Sequence, residues 1–308
     1  MKKILLGVSV LLLVGIGYGA FFFFSEPQNQ PILPEKKTTA KGTSTERDSS
    51  RQASESDSDS KGSQNKPTIF IHGYSGGRNS FGGMINRFAK TGEGTTSLIA
   101  TIEGDGTISY QGDYKKDQSN PMIQVLFVEN RSTEENQSGW IKKLLLSLKE
   151  KYDIQEFNAV GHSMGGVSLV NYITMVGSDP QYPTMDKLVS IAAPLNGLEI
   201  GNDGVTDYDL TSTGPKTLTE RYQNFMDSRT NIPVDLAVLS IAGDKEDGTK
   251  SDGSVSVASA LSSKFIFEGQ VEDYREMTFT GAKAAHSLLH ENTAVDKAVA
   301  TFLWKEKK

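Results

Sequence analysis

The sequence predicts an α/β domain: a mostly parallel sheet with helices on both faces and a small cap insertion. Three observations predict it. From residue 67 onward, short apolar runs of strand length alternate with longer stretches of helical spacing, the order that builds parallel sheets through crossovers. Strand-like runs lead into glycine turns, at Gly73, Gly161 and Gly243. Residues 67–308 have the length of one large α/β unit, with no internal repeat.

Residues 1–24 are expected to be a targeting segment and are set aside from the fold. Lys2 and Lys3 precede an uncharged run, residues 4–24, with Ser9 its only clearly polar side chain. As a helix this run is about 30 Å long, the thickness of a bilayer core. The two lysines would hold the amino terminus inside and place the remainder outside, a single-pass membrane anchor with the folded domain extracellular. The alternative is a cleaved signal peptide and a secreted domain. Residues 25–66 carry almost no large apolar side chains, and ten of the 21 residues in 43–63 are Ser or Thr. Such a segment buries too little surface to offset its ordering entropy, so a disordered linker is expected.

Within the domain, strands are expected at 67–71, 97–102, 122–128, 157–160, 187–192 and 235–242. The polar stretch between the second and third reads as a hairpin or a surface excursion. Helices are expected at 80–90, with Phe81, Ile85 and Phe88 on one face, at 138–152, with Trp140, Leu144 or Leu145, and Leu148, and at 164–176. A last helix at 293–304 has Ala294, Ala298 and Phe302 at a spacing of four. Residues 195–233 form the insertion expected to arch over the site. Its Leu198, Ile200, Leu210, Leu218 and Phe225 either line an acyl channel or pack the cap onto the body. Asp203, Asp207 and Asp209 lack the spacing of a twelve-residue calcium loop, so no metal is expected.

The motif that carries chemistry is Gly161-His162-Ser163-Met164-Gly165, a G-x-S-x-G pattern between a strand and a helix. A serine there must occupy a sharp, strained turn, and side chains at Gly161 and Gly165 would clash with the chain passing close by. The turn lifts the Ser163 hydroxyl above the carboxyl edge of the sheet and aims the Met164 N–H at a developing oxyanion. The stretch Ile69–Gly77 ends a strand in His72-Gly73 and makes the Tyr74 N–H a second oxyanion donor. His72 itself is expected to order the loop.

An acid is expected after the strand that ends at Gly243, where Asp244, Asp247 and Asp252 are available. Asp252 is preferred because a glycine and a return to apolar spacing follow it, and Asp244 is the alternate. The base comes from His286 or His290. His286 is preferred because it ends a loop; His290 lies nearer the last helix and is the alternate. Ser163, Asp252 and His286 stand in the chain order of a nucleophile-elbow enzyme.

At these motifs the chain resembles an α/β-hydrolase of the lipase and esterase kind. More narrowly, it is similar to the membrane-anchored cell-surface hydrolases of Gram-positive, lactobacillus- and listeria-like bacteria. The resemblance rests on PTIFIHGYSG, VGHSMGG, SDGSV and HSLLHEN and covers about residues 66–305. It implies Ser163 as nucleophile, with oxyanion donors at Tyr74 and Met164. It also places an Asp-Gly-x-Val element on Asp252–Val255, and a histidine nine residues before a helix valine on His286 with Val295.

The expected function is hydrolysis of a small-molecule or lipid carboxylic ester through an acyl-enzyme, with no organic cofactor. The alternatives are an amidase or peptidase using the same residues, or a non-catalytic surface binding module. With 32 Lys plus Arg against 38 Asp plus Glu, and no basic stripe, nucleic acid is not an expected partner. The absence of cysteine excludes disulfides, thiolate metal sites and a cysteine nucleophile.

Overall fold

The computed structural model describes residues 66–198 and 209–305. The expected anchor and linker lie outside the described residues, as do Ile200, Asp203 and Asp207. Among the described residues no helix is long and apolar enough to cross a membrane.

Among the described residues there are ten strands: β1 (Thr68–Ile71), β2 (Thr95–Ile102), β3 (Ile108–Gly112), β4 (Pro121–Phe127), β5 (Glu156–His162), β6 (Thr184–Ile191), β7 (Leu210–Thr211), β8 (Gly214–Pro215), β9 (Ala237–Asp244) and β10 (Asp273–Thr280). Eight of them form one sheet in the order β10-β9-β6-β5-β1-β4-β2-β3, while β7 and β8 pair separately. Every pairing in the large sheet is parallel except β2 with β3, so the polar stretch after β2 is a hairpin. The chain adds strands on one side of β1 first and on the other from β5 onward. The crevice where the direction reverses, at the carboxyl ends of β1 and β5, is where open α/β sheets bind ligands. Register makes the two ends level, because Ile71 pairs with Gly161.

Helices α1 (Arg78–Thr91), α2 (Glu134–Tyr152), α3 (Met164–Val176), α4 (Glu220–Ser228), α5 (Val257–Leu261), α6 (Ser263–Phe267) and α7 (Thr293–Ala300) supply the layers. One core joins α2, α3 and α4 to the sheet through Leu144, Leu145, Leu148, Tyr172 and Phe225. The other packs α1 and α7 on the opposite face through Phe81, Met84, Phe88, Val295 and Val299. Both Leu144 and Leu145 are fully buried because α2 packs against α3 within the core it shares with the sheet. α2 starts at Glu134, four residues before the expected start, because Thr133 accepts from the Asn136 N–H and two acidic residues follow the cap.

The structure adds to or departs from the sequence reading in three places. The last helix does not bury the Ala294 and Ala298 stripe; Ala294 is exposed and Ala298 partly so, whereas Val295 and Val299 are fully buried. The larger apolar side chains set the face, and a wider turn over Thr301–Lys305 then brings both Phe302 and Leu303 inside. Among the cap residues, Phe225 packs into the core with Tyr222, while Leu210 and Leu218 are exposed. Finally, β10 had no sequence signal. Its segment, DYREMTFT, lies on the sheet's edge with much of its length exposed, so it carries charges in place of an apolar run.

The face of α7 yields a test. Val299→Ala is expected to cost about 2 kcal/mol of unfolding free energy, from lost burial and an incompletely filled cavity. Ala294→Ser is expected to stay within about 0.5 kcal/mol, as exposed substitutions do. Urea titration of the two variants measures the difference; equal costs would contradict this packing.

Candidate active site

Ser163 sits between β5 and α3 with φ 55° and ψ −126°, a backbone conformation rare for a residue with a Cβ. Its N–H donates to the Ile191 carbonyl (2.9 Å), and its own carbonyl accepts from the Gly166 and Val167 N–H groups. The glycines on either side are required as expected. A Cβ on Gly165 would lie 2.3 Å from the Ile71 oxygen, and one on Gly161 would lie 2.6 Å from the Gly166 nitrogen. The end of β1 therefore presses directly on the first turn of α3, which brings the loop after β1 beside the serine.

That loop is held from below. His72 is buried; its Nδ1–H donates to the Gly73 carbonyl (2.8 Å), and Nε2 accepts from the Phe127 N–H (3.2 Å). The Asn130 side-chain amide donates to the Gly76 carbonyl, and the Ser75 N–H donates to the Asn130 carbonyl. The loops after β1 and β4 are thus one hydrogen-bonded unit, with Tyr74 at its tip. Neither the Tyr74 nor the Met164 N–H has an acceptor among the described residues. Both remain available to an oxyanion.

His286 reaches Ser163 from the late chain. Its Nε2 lies 3.0 Å from Ser163 Oγ and its Nδ1 lies 2.7 Å from Asp252 Oδ2. A carboxylate only accepts, so Nδ1 carries the proton and Nε2 accepts from the hydroxyl. Asp252 is buried, and its Oδ1 takes the Ser254 and Val255 N–H groups at 2.9 and 2.7 Å. Its backbone carbonyl also accepts from the His286 N–H (2.9 Å). Asp252 therefore fixes the histidine by main chain and side chain together.

The alternates are placed elsewhere. Asp244 ends β9 and its Oδ1 accepts from the Glu246 N–H, while Asp247 is engaged by Lys245 and Thr249. His290 is buried, and its Nδ1 lies 3.3 Å from Glu291 Oε1. The turn that carries it is tied to α1 by Arg87, which donates to the His290 carbonyl and pairs with Glu291 and Asp296. Among the described residues no group of acidic or histidine side chains is arranged to hold a metal.

His162 is the residue that sequence reasoning passed over. Its Nε2–H donates to the His286 carbonyl (3.0 Å), and its ring lies 4.6 Å from the His286 ring and 4.8 Å from His290 between centroids. Burial pushes its pKa well below the usual histidine value, and the neighbouring histidines add to this. Burial likewise lowers His290 and His72. Within the three-ring cluster, His286 alone has a carboxylate bonded to it that is itself fully buried. The available signal was adjacency: in a chain with four histidines, one lies next to the elbow serine.

Two cavities meet at Ser163, sharing only Ser163 and Tyr74 between their linings. One, about 310 Å³, is bounded by Met164, Val167, Pro194 and Leu198, with the Arg221–Glu134 ion pair at its wall. The other, about 410 Å³, lies on the His286 side; its lining is mainly Ser, Asn, His and Glu, and it is the more polar of the two.

The histidines give stability a direction with pH. His72, His162 and His290 have folded-state pKa values below the unfolded value, so below about pH 6.5 the unfolded chain binds protons that the folded chain does not. Their contribution is complete above that pH and lost as pH falls, by up to about 1.4 kcal/mol per unit for each ring. The urea midpoint is expected to drop between pH 7.5 and 5.5; a constant or rising midpoint would contradict the neutral cluster.

Comparison with known proteins agrees with this architecture. A family described as alpha/beta hydrolases of unknown function (DUF915) matches residues 55–306. The crystal structure of the lin2722 gene product from Listeria innocua is 31% identical, with 79% of this chain and 96% of that one covered and a TM-score of 0.74. A Lactobacillus plantarum WCFS1 protein, provisionally named a cell surface hydrolase, is 30% identical over 80% of this chain and 94% of its own, with a TM-score of 0.64. No curated protein matches the chain. The chain belongs to the DUF915 family of alpha/beta hydrolases.

Proposed function

We propose that the chain is a serine hydrolase that cleaves carboxylic esters through an acyl-enzyme. The observation that carries the reading is the continuous hydrogen-bonded line from the Ser163 hydroxyl through His286 to the buried Asp252 carboxylate. As Oγ attacks the ester carbonyl, His286 Nε2 takes the hydroxyl proton and the carbonyl oxygen becomes an oxyanion. The Tyr74 and Met164 N–H groups stabilise that oxyanion, each worth about 3 kcal/mol in comparable sites. Collapse breaks the bond to the alcohol oxygen, which leaves with the proton from Nε2. Water then attacks the acyl-serine, giving its proton to Nε2, and the second collapse returns that proton to Oγ and releases the acid.

Asp252 stabilises the imidazolium formed in both steps and holds the tautomer that leaves Nε2 free to accept. A neutral His162 beside it adds no positive charge, and its bond to the His286 carbonyl holds the backbone that carries the base. The mostly apolar cavity beside Met164 suits an acyl group.

A fluorophosphonate probe is expected to label the folded chain, and Ser163→Ala to abolish labelling. Asp252→Asn is expected to lower ester turnover about 10⁴-fold by permitting the wrong tautomer. Asp244→Asn, remote from the histidine, is expected to stay within a few-fold. Undiminished labelling of Ser163→Ala, or the larger loss at Asp244, would reject the assignment.

A further inference from the structure

The two cavities that meet at Ser163 differ in chemistry, and the proposed mechanism says which part of the substrate each receives. The leaving oxygen must take its proton from His286 Nε2, so the alcohol lies on the histidine's side of the serine. His286 lines the polar cavity and is absent from the lining of the apolar one, which instead contains Met164. The acyl group therefore lies under Leu198 and Val167, and the alcohol lies in the polar cavity. We infer that the alcohol is polyhydroxylated, a glycerol or a sugar, held by Asn79, Ser80, Ser287, His290 and Glu291.

The inventory of groups there fits hydroxyls, which both donate and accept. Asn79, on the first turn of α1, offers an amide with both capacities, and neither its exposed side chain nor the exposed Ser287 hydroxyl has a hydrogen-bond partner among the described residues. Ser80 Oγ accepts from the Gly77 N–H, which leaves its own O–H to donate. With its Nδ1–H turned to Glu291, the largely buried His290 keeps an acceptor at Nε2. The Glu291 carboxylate adds further acceptor capacity.

Two other alcohol classes fit poorly. The lining contains no lysine or arginine. Two guanidiniums border it: Arg87 is committed to Asp296, Glu291 and the His290 carbonyl, and Arg131 reaches the hydroxyl of the lining residue Ser75 (3.4 Å) at the exposed rim. A phosphate-bearing alcohol would meet the Glu291 carboxylate at the inner wall, with the uncommitted Arg131 only at the rim beside Ser75. An alkyl alcohol would meet no aliphatic side chain among the described lining residues and would forgo the hydrogen bonds they offer.

This inference rests on the serine-hydrolase reading, and one experiment separates the two. With the full-length chain, kcat/KM is measured for 1-hexanoylglycerol, a methyl 6-O-hexanoylglucoside and ethyl hexanoate, which share one acyl group. At least one polyol ester is expected to exceed the ethyl ester by about tenfold or more, the effect of two or three added hydrogen bonds. The member favoured tells glycerol from sugar. Asn79→Leu, and separately Ser287→Ala, are expected to lower that polyol-to-ethyl ratio several-fold, with fluorophosphonate labelling reporting that the variants are folded. Labelling of the wild type with no polyol advantage, or a ratio unmoved in both variants, overturns the subsite and leaves the hydrolase reading intact. Absence of both labelling and ester turnover in a folded chain overturns both.

Discussion

The structure depends on one strained residue. Ser163 is held at a positive φ because the end of β1 crosses the start of α3 closely enough to exclude a side chain at Gly165. A relaxed serine at this position would end β5 without lifting its hydroxyl over the sheet. The strain, of order 1–3 kcal/mol in such positions, is carried by what surrounds it: a fully buried sheet interior, the Ile191 carbonyl and the first turn of α3. The same contact brings Gly73 so near that a Cβ there would fall 2.8 Å from the Ser163 Cβ. Elbow and oxyanion loop are consequences of one close approach.

The second half of the site is assembled from residues 89 and 123 positions later in the chain, a distance reconciled by the sheet's register. β5, β6 and β9 are parallel neighbours, so the turns that follow β5 and β9 open on one edge. Asp252 closes a tight turn on the Val255 and Ser254 N–H groups, and the same residue takes the His286 main chain. From the other side, Arg87 on α1 ties down the turn from His286 to Glu291. The imidazole is thus oriented by contacts that do not depend on substrate, which is the condition for electrostatic preorganisation.

Much of this was legible in the sequence, for identifiable reasons. The G-x-S-x-G turn, the helix from Met164 to Val176 and the need for glycine at 161 and 165 follow from local sterics, which sequence reports directly. Asp252 was separable from Asp244 because a glycine and an apolar return follow it. The unread parts are those decided by distant partners. β10 is recognisable only beside β9, since an edge strand needs no apolar run. The buried face of α7 depends on how Val295 and Val299 meet α1, which spacing alone assigned to the alanines. His162 gained its role from a carbonyl 124 residues away. The polar cavity, likewise, joins Asn79 to Ser287 across most of the domain.

The central claim is that the raised hydroxyl of Ser163 takes the acyl group from the substrate's alcohol and passes it to water. Product partitioning in the presence of methanol tests it most directly. If every ester of one acid passes through the same acyl-serine, p-nitrophenyl and ethyl esters must give the same ratio of methyl ester to free acid at a fixed methanol concentration. A ratio that changes with the leaving group would mean that water attacks the substrate itself, and would contradict the account.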